Sequence, residues 1–306
     1  MTSVWRRLQL RIAGTTPARR FQEESDVGVA AVLSCFRSLK LDPQSANKWG
    51  SHYQWRLEHE ELFDQAVEIV GTKKFEQQKQ YVQDEIAKQV QSCFEAVLKM
   101  PKESEKSAPK MSLSGFERTS EVEEKLGISG DFQKLFGFAL NVEESSVLGA
   151  GEGVKLRGAA SIGSLVKHYL SELSNNPFAR ARFDSVIIDA KKESSKPRNP
   201  LAVAHKINHP PSGTPPNVLG FAFEFPPEEP FTTKEYDELI PNSFVQEPSR
   251  LSMIGKRAIV HGLAFVATAD IANEEELFLN YRYNPNRPLP EWYTSVDVDS
   301  DRAMWK

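Results

Sequence analysis

The chain has 306 residues, a formal net charge of −4, 40% apolar and 26% charged residues. That length suggests roughly two domains, or one domain with a sizeable extension, and that apolar share can fill a real core. The slight acidity provides no basic field of the kind nucleic acid demands, so no nucleic-acid partner is expected. No run of about 18 apolar residues suggests a membrane span. The two cysteines, Cys35 and Cys93, provide neither a disulfide framework nor a zinc cluster, which fits a reducing, intracellular compartment.

Residues 1–22 form a basic segment. Arg6, Arg7, Arg11, Arg19 and Arg20 occur there without an acid in the first twenty positions, and Trp5, Leu8 and Ile12 share one helical face. Two readings stay open: a mitochondrial or plastid transit peptide, or a basic tail on a nuclear or cytoplasmic protein.

Residues 23–100 read as three packed helices. Leu62, Phe63, Ala66, Val67 and Val70 follow helical spacing and stop at Gly71; Phe75, Val82, Ile86, Val90, Phe94, Val97 and Leu98 form a second stripe ended by Pro101. Residues 101–114, rich in Lys, Ser, Glu and Pro, read as a linker.

From 115 to 285 the pattern turns to strands. Leu219, Phe221, Phe223 and Phe225 alternate with Gly220, Ala222 and Glu224. Val186-Ile187-Ile188 is a short buried run, and Ala258–Val260 and Leu263–Ala267 suggest two strand pieces parted by a bulge or turn at Gly262. Thr232 and Glu235 have capping-box spacing, which predicts a helix over about Thr233–Ile240, stopped by Pro241. The fold class expected is α+β: a β-rich domain behind an N-terminal helical region. Residues 286–306, with Pro288 and Pro290 and then Asp297, Asp299 and Asp301, read as a tail held by Trp292 and Tyr293 before it frays.

Several chemistries are excluded by spacing. The glycines of Gly149-Ala150-Gly151-Glu152-Gly153-Val154 do not follow the dinucleotide fingerprint, no helical pattern follows them, and a plain turn explains them. His205 and His209 are four apart, but Lys206 stands where a metalloprotease motif has Glu, and Pro210 ends any helix at His209. No metal site is expected. Neither a Walker loop nor a Gly-x-Ser-x-Gly elbow is present, so hydrolase and nucleoside-triphosphatase readings have no support.

Three pieces, in order, resemble the SET domain, the fold of most protein-lysine methyltransferases: Gly151-Glu152-Gly153-Val154, then Asn208-His209, then Glu275-Glu276-Leu277-Phe278-Leu279-Asn280-Tyr281. Leu135-Phe136-Gly137-Phe138, Ser145-Ser146, Asn176-Pro177-Phe178, Ser185–Asp189 and Asn199–Val203 are similar to segments of the SET domain-containing protein 9 family. The resemblance covers about Gly115 to Tyr283. It implies a SET-like domain in which the last two motifs thread past each other as a pseudoknot. It also implies S-adenosylmethionine as cofactor, held by Gly151, Gly153, Asn208 and His209, with Tyr281 as the catalytic tyrosine beside the transferring methyl. The implied partner is a protein substrate with a target lysine. The sequence departs from the family after Ser164-Leu165-Val166: Tyr169 leads to Asn176-Pro177-Phe178 without the Tyr-Pro-Gly and the long stretch of relatives. That shortening raises the alternative of a catalytically inactive SET-like protein serving as a protein-interaction module.

Overall fold

The computed structural model describes residues 17–41, 52–99, 133, 137–167, 179–181, 187–189, 203–240 and 260–305. The linker over 101–114, most of the basic segment, and the shortened stretch from Tyr169 to Phe178 lie outside the described residues.

Among the described residues the N-terminal region contributes three helices: α1 (Pro17–Leu41), α2 (His52–Gly71) and α3 (Phe75–Lys99). The first begins ahead of the expected Glu23, at a proline, whose fixed φ and missing N–H suit the first helical turn. The second ends at Gly71, as the apolar stripe predicts. On α3 the period-four stripe buries Val82, Ile86, Val90 and Phe94, while Leu98 emerges into solvent. On α1, Ala30 and Ala31 are fully buried between Val27 and Phe36. Small residues there let the helix lie close to its neighbours.

The remainder is a set of small antiparallel sheets, so the chain is an α+β mixture with an N-terminal helical region. Strands β1 (Phe138–Glu144) and β2 (Glu152–Gly158) form a hairpin, with Val142 opposite Val154. A three-stranded sheet has the order β3 (Leu165–Lys167), β7 (Val260–Ala267), β6 (Val218–Phe225). Strands β4 (Ala179–Ala181) and β5 (Ile187–Asp189) make a third sheet. A short helix, α4 (Lys234–Leu239), follows β6 where the capping-box spacing predicts it. Among the described residues no helix is long and apolar enough to cross a membrane.

Strand β7 runs unbroken through Gly262, where a bulge or turn is expected from sequence. Gly262 pairs with Phe223, and the rings of Phe223 and Phe225 fill the space above it. Both faces of β7 are covered. Val260, Ala264 and Val266 join Phe221, Phe223 and Phe225 of β6 in a core closed by the helices. Phe265 and Ala267 face a second core with Val154, Leu156, Ile207, Ile271, Leu277 and Leu279. The sheet is thus the middle layer between the helices and the hairpin.

Polar side chains of α3 also reach the sheet. Gln89 Oε1 accepts the Leu165 N–H of β3 at 2.7 Å. Gln83 accepts the Glu224 N–H at 3.1 Å and donates to the Glu224 carbonyl of β6. Unpaired backbone groups at a sheet edge need such partners. Close approach fixes a further contact: a side chain on Gly163, at φ +77°, would overlap the Leu33 carbonyl of α1.

Candidate functional site

The site is built where one segment, Ile271–Tyr281, is laced between the hairpin and two loops. Along β2 it runs antiparallel: the Glu274 N–H donates to the Leu156 carbonyl at 2.7 Å and the Leu277 N–H to the Val154 carbonyl at 2.8 Å. It then runs parallel to the Asn208 loop, where the Leu279 N–H donates to the Asn208 carbonyl at 2.9 Å. The Phe278 carbonyl accepts from the N–H groups of Asn217 and Val218 at 3.1 and 3.2 Å. Asn217 completes the lacing with its side chain. Its Oδ1 accepts the Phe278 N–H at 2.8 Å, and its Nδ2 donates to the Glu276 carbonyl at 2.9 Å. A side-chain amide here replaces a strand neighbour.

Leu277, Phe278 and Leu279 are buried, and Leu277 and Leu279 carry the segment into the second core. Glu276 travels with them and is only 4% exposed. Its carboxylate is met by the Ser145 hydroxyl at 2.7 Å, the Ser146 hydroxyl at 2.5 Å, the Ser146 N–H at 2.7 Å and Asn208 Nδ2 at 3.1 Å. Burial alone would push its pKa up. The donors from Ser146, Ser145 and Asn208 outweigh that and hold it below the usual carboxylate value.

This carboxylate explains two of the expected site residues. A Cβ on Gly153 would overlap Glu276 Oε1 and lie 3.1 Å from Asn208 Nδ2, so the glycine is needed for the carboxylate's approach. Asn208 Nδ2 also donates to Ser145 Oγ and to the Glu152 carbonyl, each at 3.0 Å. Gly153 and Asn208 therefore meet at Glu276. Gly151 sits one turn away with φ +72°, its carbonyl accepting the Ser145 N–H at 2.8 Å, and the space where its Cβ would stand is open.

The other expected pair, His209 and Tyr281, also meets. The Tyr281 N–H donates to His209 Nδ1 at 3.3 Å, and His209 Nε2 lies 2.7 Å from the Thr294 carbonyl. The two partners assign the ring proton to Nε2. His205 belongs to a 3₁₀ turn, Ala204–Lys206, so the two histidines do not share an α-helix. The Tyr281 hydroxyl donates to the Ile207 carbonyl at 2.8 Å.

Around Tyr281 the C-terminal segment contributes aromatic surface. Tyr283 lies 5.6 Å away at 46°, Trp292 6.2 Å away at 89°, and Tyr283 and Trp292 are 6.1 Å apart at 65°. Trp292 is 55% exposed, so the group opens to solvent. Tyr293 stacks on His209 at 4.4 Å; burial raises its pKa. Beyond Tyr293 the chain forms a further helix, α5 (Val298–Met304), instead of fraying. Asp297 caps it by accepting the N–H groups of Asp299 and Ser300, and Asp301 and Met304 are buried.

Sequence reasoning missed Glu276 as the node of the site, and with it the work of Ser145 and Ser146. It also missed Arg282 and Tyr283. The closely spaced Tyr281, Tyr283, Trp292 and Tyr293 were a signal for the aromatic group. A scan against protein-family models returns no match, and no curated protein matches the chain.

Proposed function

We propose that the chain is an S-adenosylmethionine-dependent protein-lysine N-methyltransferase with a SET-like arrangement of its last two motifs. One observation carries this reading: Glu275–Tyr281 runs beside Asn208-His209, joined from Leu279 to Asn208 and from Tyr281 to His209. The resemblance implies that threading, and the residue order alone does not require it.

The residues fit the cofactor in part. Gly151 leaves open space at a positive φ, and Asn208 and the His209 backbone would hold the ligand beside it. Gly153 serves the Glu276 carboxylate. When bound, S-adenosylmethionine would supply an electrophilic methyl on a sulfonium. The Tyr281 hydroxyl and the Ile207 carbonyl, 2.8 Å apart, offer oxygens that can orient the amine of a target lysine, and positioning is a large share of catalysis. The rings of Tyr281, Tyr283 and Trp292 favour a cationic group through their faces. Deprotonation of the amine, needed to free its lone pair for attack, would come from its desolvation on binding and not from the ring faces, which stabilise the ammonium that forms.

A second reading, a SET-like protein-interaction module without catalysis, is favoured by a specific observation. Asn208 Nδ2 is already engaged by Ser145, Glu152 and Glu276. Calorimetric titration with S-adenosylmethionine, followed by radiolabelled methyl transfer to extract proteins, separates the two. The methyltransferase reading expects saturable binding, and turnover that falls sharply in Tyr281→Phe while cofactor affinity stays near wild type. Absence of binding at millimolar cofactor would reject it. Binding without turnover would favour the interaction module, and equal turnover in wild type and variant would remove Tyr281 from the mechanism.

A further inference from the structure

Arg282, directly after Tyr281, is the junction of three elements far apart in sequence. Its φ is +50°, a left-handed conformation uncommon for a residue with a side chain. Its guanidinium is bidentate with Asp26 of α1, at 2.5 and 2.9 Å. The side chains of the pair are 23% and 10% exposed. Its carbonyl accepts the Trp305 indole N–H, at the end of α5, at 3.0 Å. Its own N–H donates to Asn280 Oδ1 at 3.0 Å. Gln22 of α1 braces the junction: its Nε2 donates to Asp26 at 2.9 Å, and its Oε1 accepts from Ser300 of α5 at 3.3 Å.

An exposed ion pair would contribute little. This one is largely withdrawn from water and forked, a geometry that fixes direction as well as distance. It holds the side chain of the residue following Tyr281, while Trp305 holds its carbonyl and Asn280 its N–H. Tyr281 is then fixed at its N–H by His209, at its hydroxyl by Ile207, and at its C-terminal side by Arg282.

We propose that Asp26 and Arg282 are positioning residues for Tyr281, which makes helix α1 a working part of the site. The effect on turnover rests on the methyltransferase reading; the clasp itself does not. In the full chain labelled with ¹⁵N-tryptophan, the Trp305 indole resonance, assigned by its loss in Trp305→Phe, reports directly on the Arg282 carbonyl. Asp26→Asn and Arg282→Lys should each shift that resonance. Each should also lower kcat about tenfold or more, with the KM for cofactor nearly unchanged, because misplacement of a reacting group acts on the chemical step. The exchanged pair, Asp26→Arg with Arg282→Asp, should recover part of both losses. Glu23→Gln removes a different α1 ion pair, with Lys79, and should leave both readings at wild type. The proposal is overturned if the indole resonance does not move in Asp26→Asn. It is also overturned if kcat holds while the resonance shifts, or if Glu23→Gln costs as much as Asp26→Asn. If the wild type transfers no methyl, the functional reading fails and the clasp stands or falls on the resonance alone.

Discussion

The core under the helices and the laced site are held by different physics. Phe94, Ile86 and Phe223 carry no polar group to satisfy, and what matters for them is filled volume. The site is held at one buried carboxylate, Glu276, and at side chains that stand in for strand neighbours, such as Asn217. The first arrangement tolerates change of shape if volume is kept. The second tolerates little change of chemistry, since each donor left behind stays buried without a partner.

Truncation of the core should have the larger effect. Phe94 is fully buried against Phe225 at 6.5 Å and Tyr236 at 5.2 Å. Phe94→Ala should cost about 3–5 kcal/mol, read as a lowered denaturant midpoint. Phe94→Leu should cost visibly less; equal losses would mean that the core does not tolerate changes of shape. Glu276→Ala removes one side chain and strands the donors of Ser145, Ser146 and Asn208. A loss of about 2–4 kcal/mol is expected, with raised hydrogen exchange at the Ser146 amide. Here the near-isosteric Glu276→Gln should also be costly, because its NH₂ would face donors. A Gln variant as stable as wild type would place Glu276 with the tolerant core.

The smallest effect is the dependence on pH. The folded-state pKa of Glu276 is depressed, so its contribution is present above the ordinary carboxylate value and is lost as pH falls through the folded value. Denaturant midpoints of the wild type should therefore fall more steeply on acidification than those of Glu276→Gln. Parallel slopes would show that the carboxylate is not held as described.

The same contrast decides what the sequence discloses. Val82, Ile86, Val90 and Phe94 repeat every fourth residue, and Phe221, Phe223 and Phe225 every second, so helix and strand are readable without a structure. The hairpin was not legible as strands. On β1 the buried residues are Ala139 and Val142, three apart, which breaks the alternation. The motifs around Asn208 and Tyr281 drew attention by residue type, yet their pivot did not: Glu276 is one of three consecutive glutamates, and only the fold separates it from Glu274 and Glu275. Nor does any local pattern join Asp26 to Arg282, 256 positions apart. The frayed tail expected after Tyr293 is a helix for a similar reason. Its cap at Asp297 is local, but what secures it is the burial of Met304 and the Trp305 bond to Arg282.

The glutamines of α3 have a consequence for any attempt to divide the chain. Gln83 occupies the hydrogen-bonding groups of Glu224 on β6, and the same helix covers the phenylalanine face of that strand. A fragment beginning after the helices would leave the Glu224 N–H and carbonyl without Gln83, beside three phenylalanines stripped of their cover, a place at which a second copy could pair. The helices thus act as a built-in chaperone for the sheet, and the polar stretch over 101–114 is a poor place to cut.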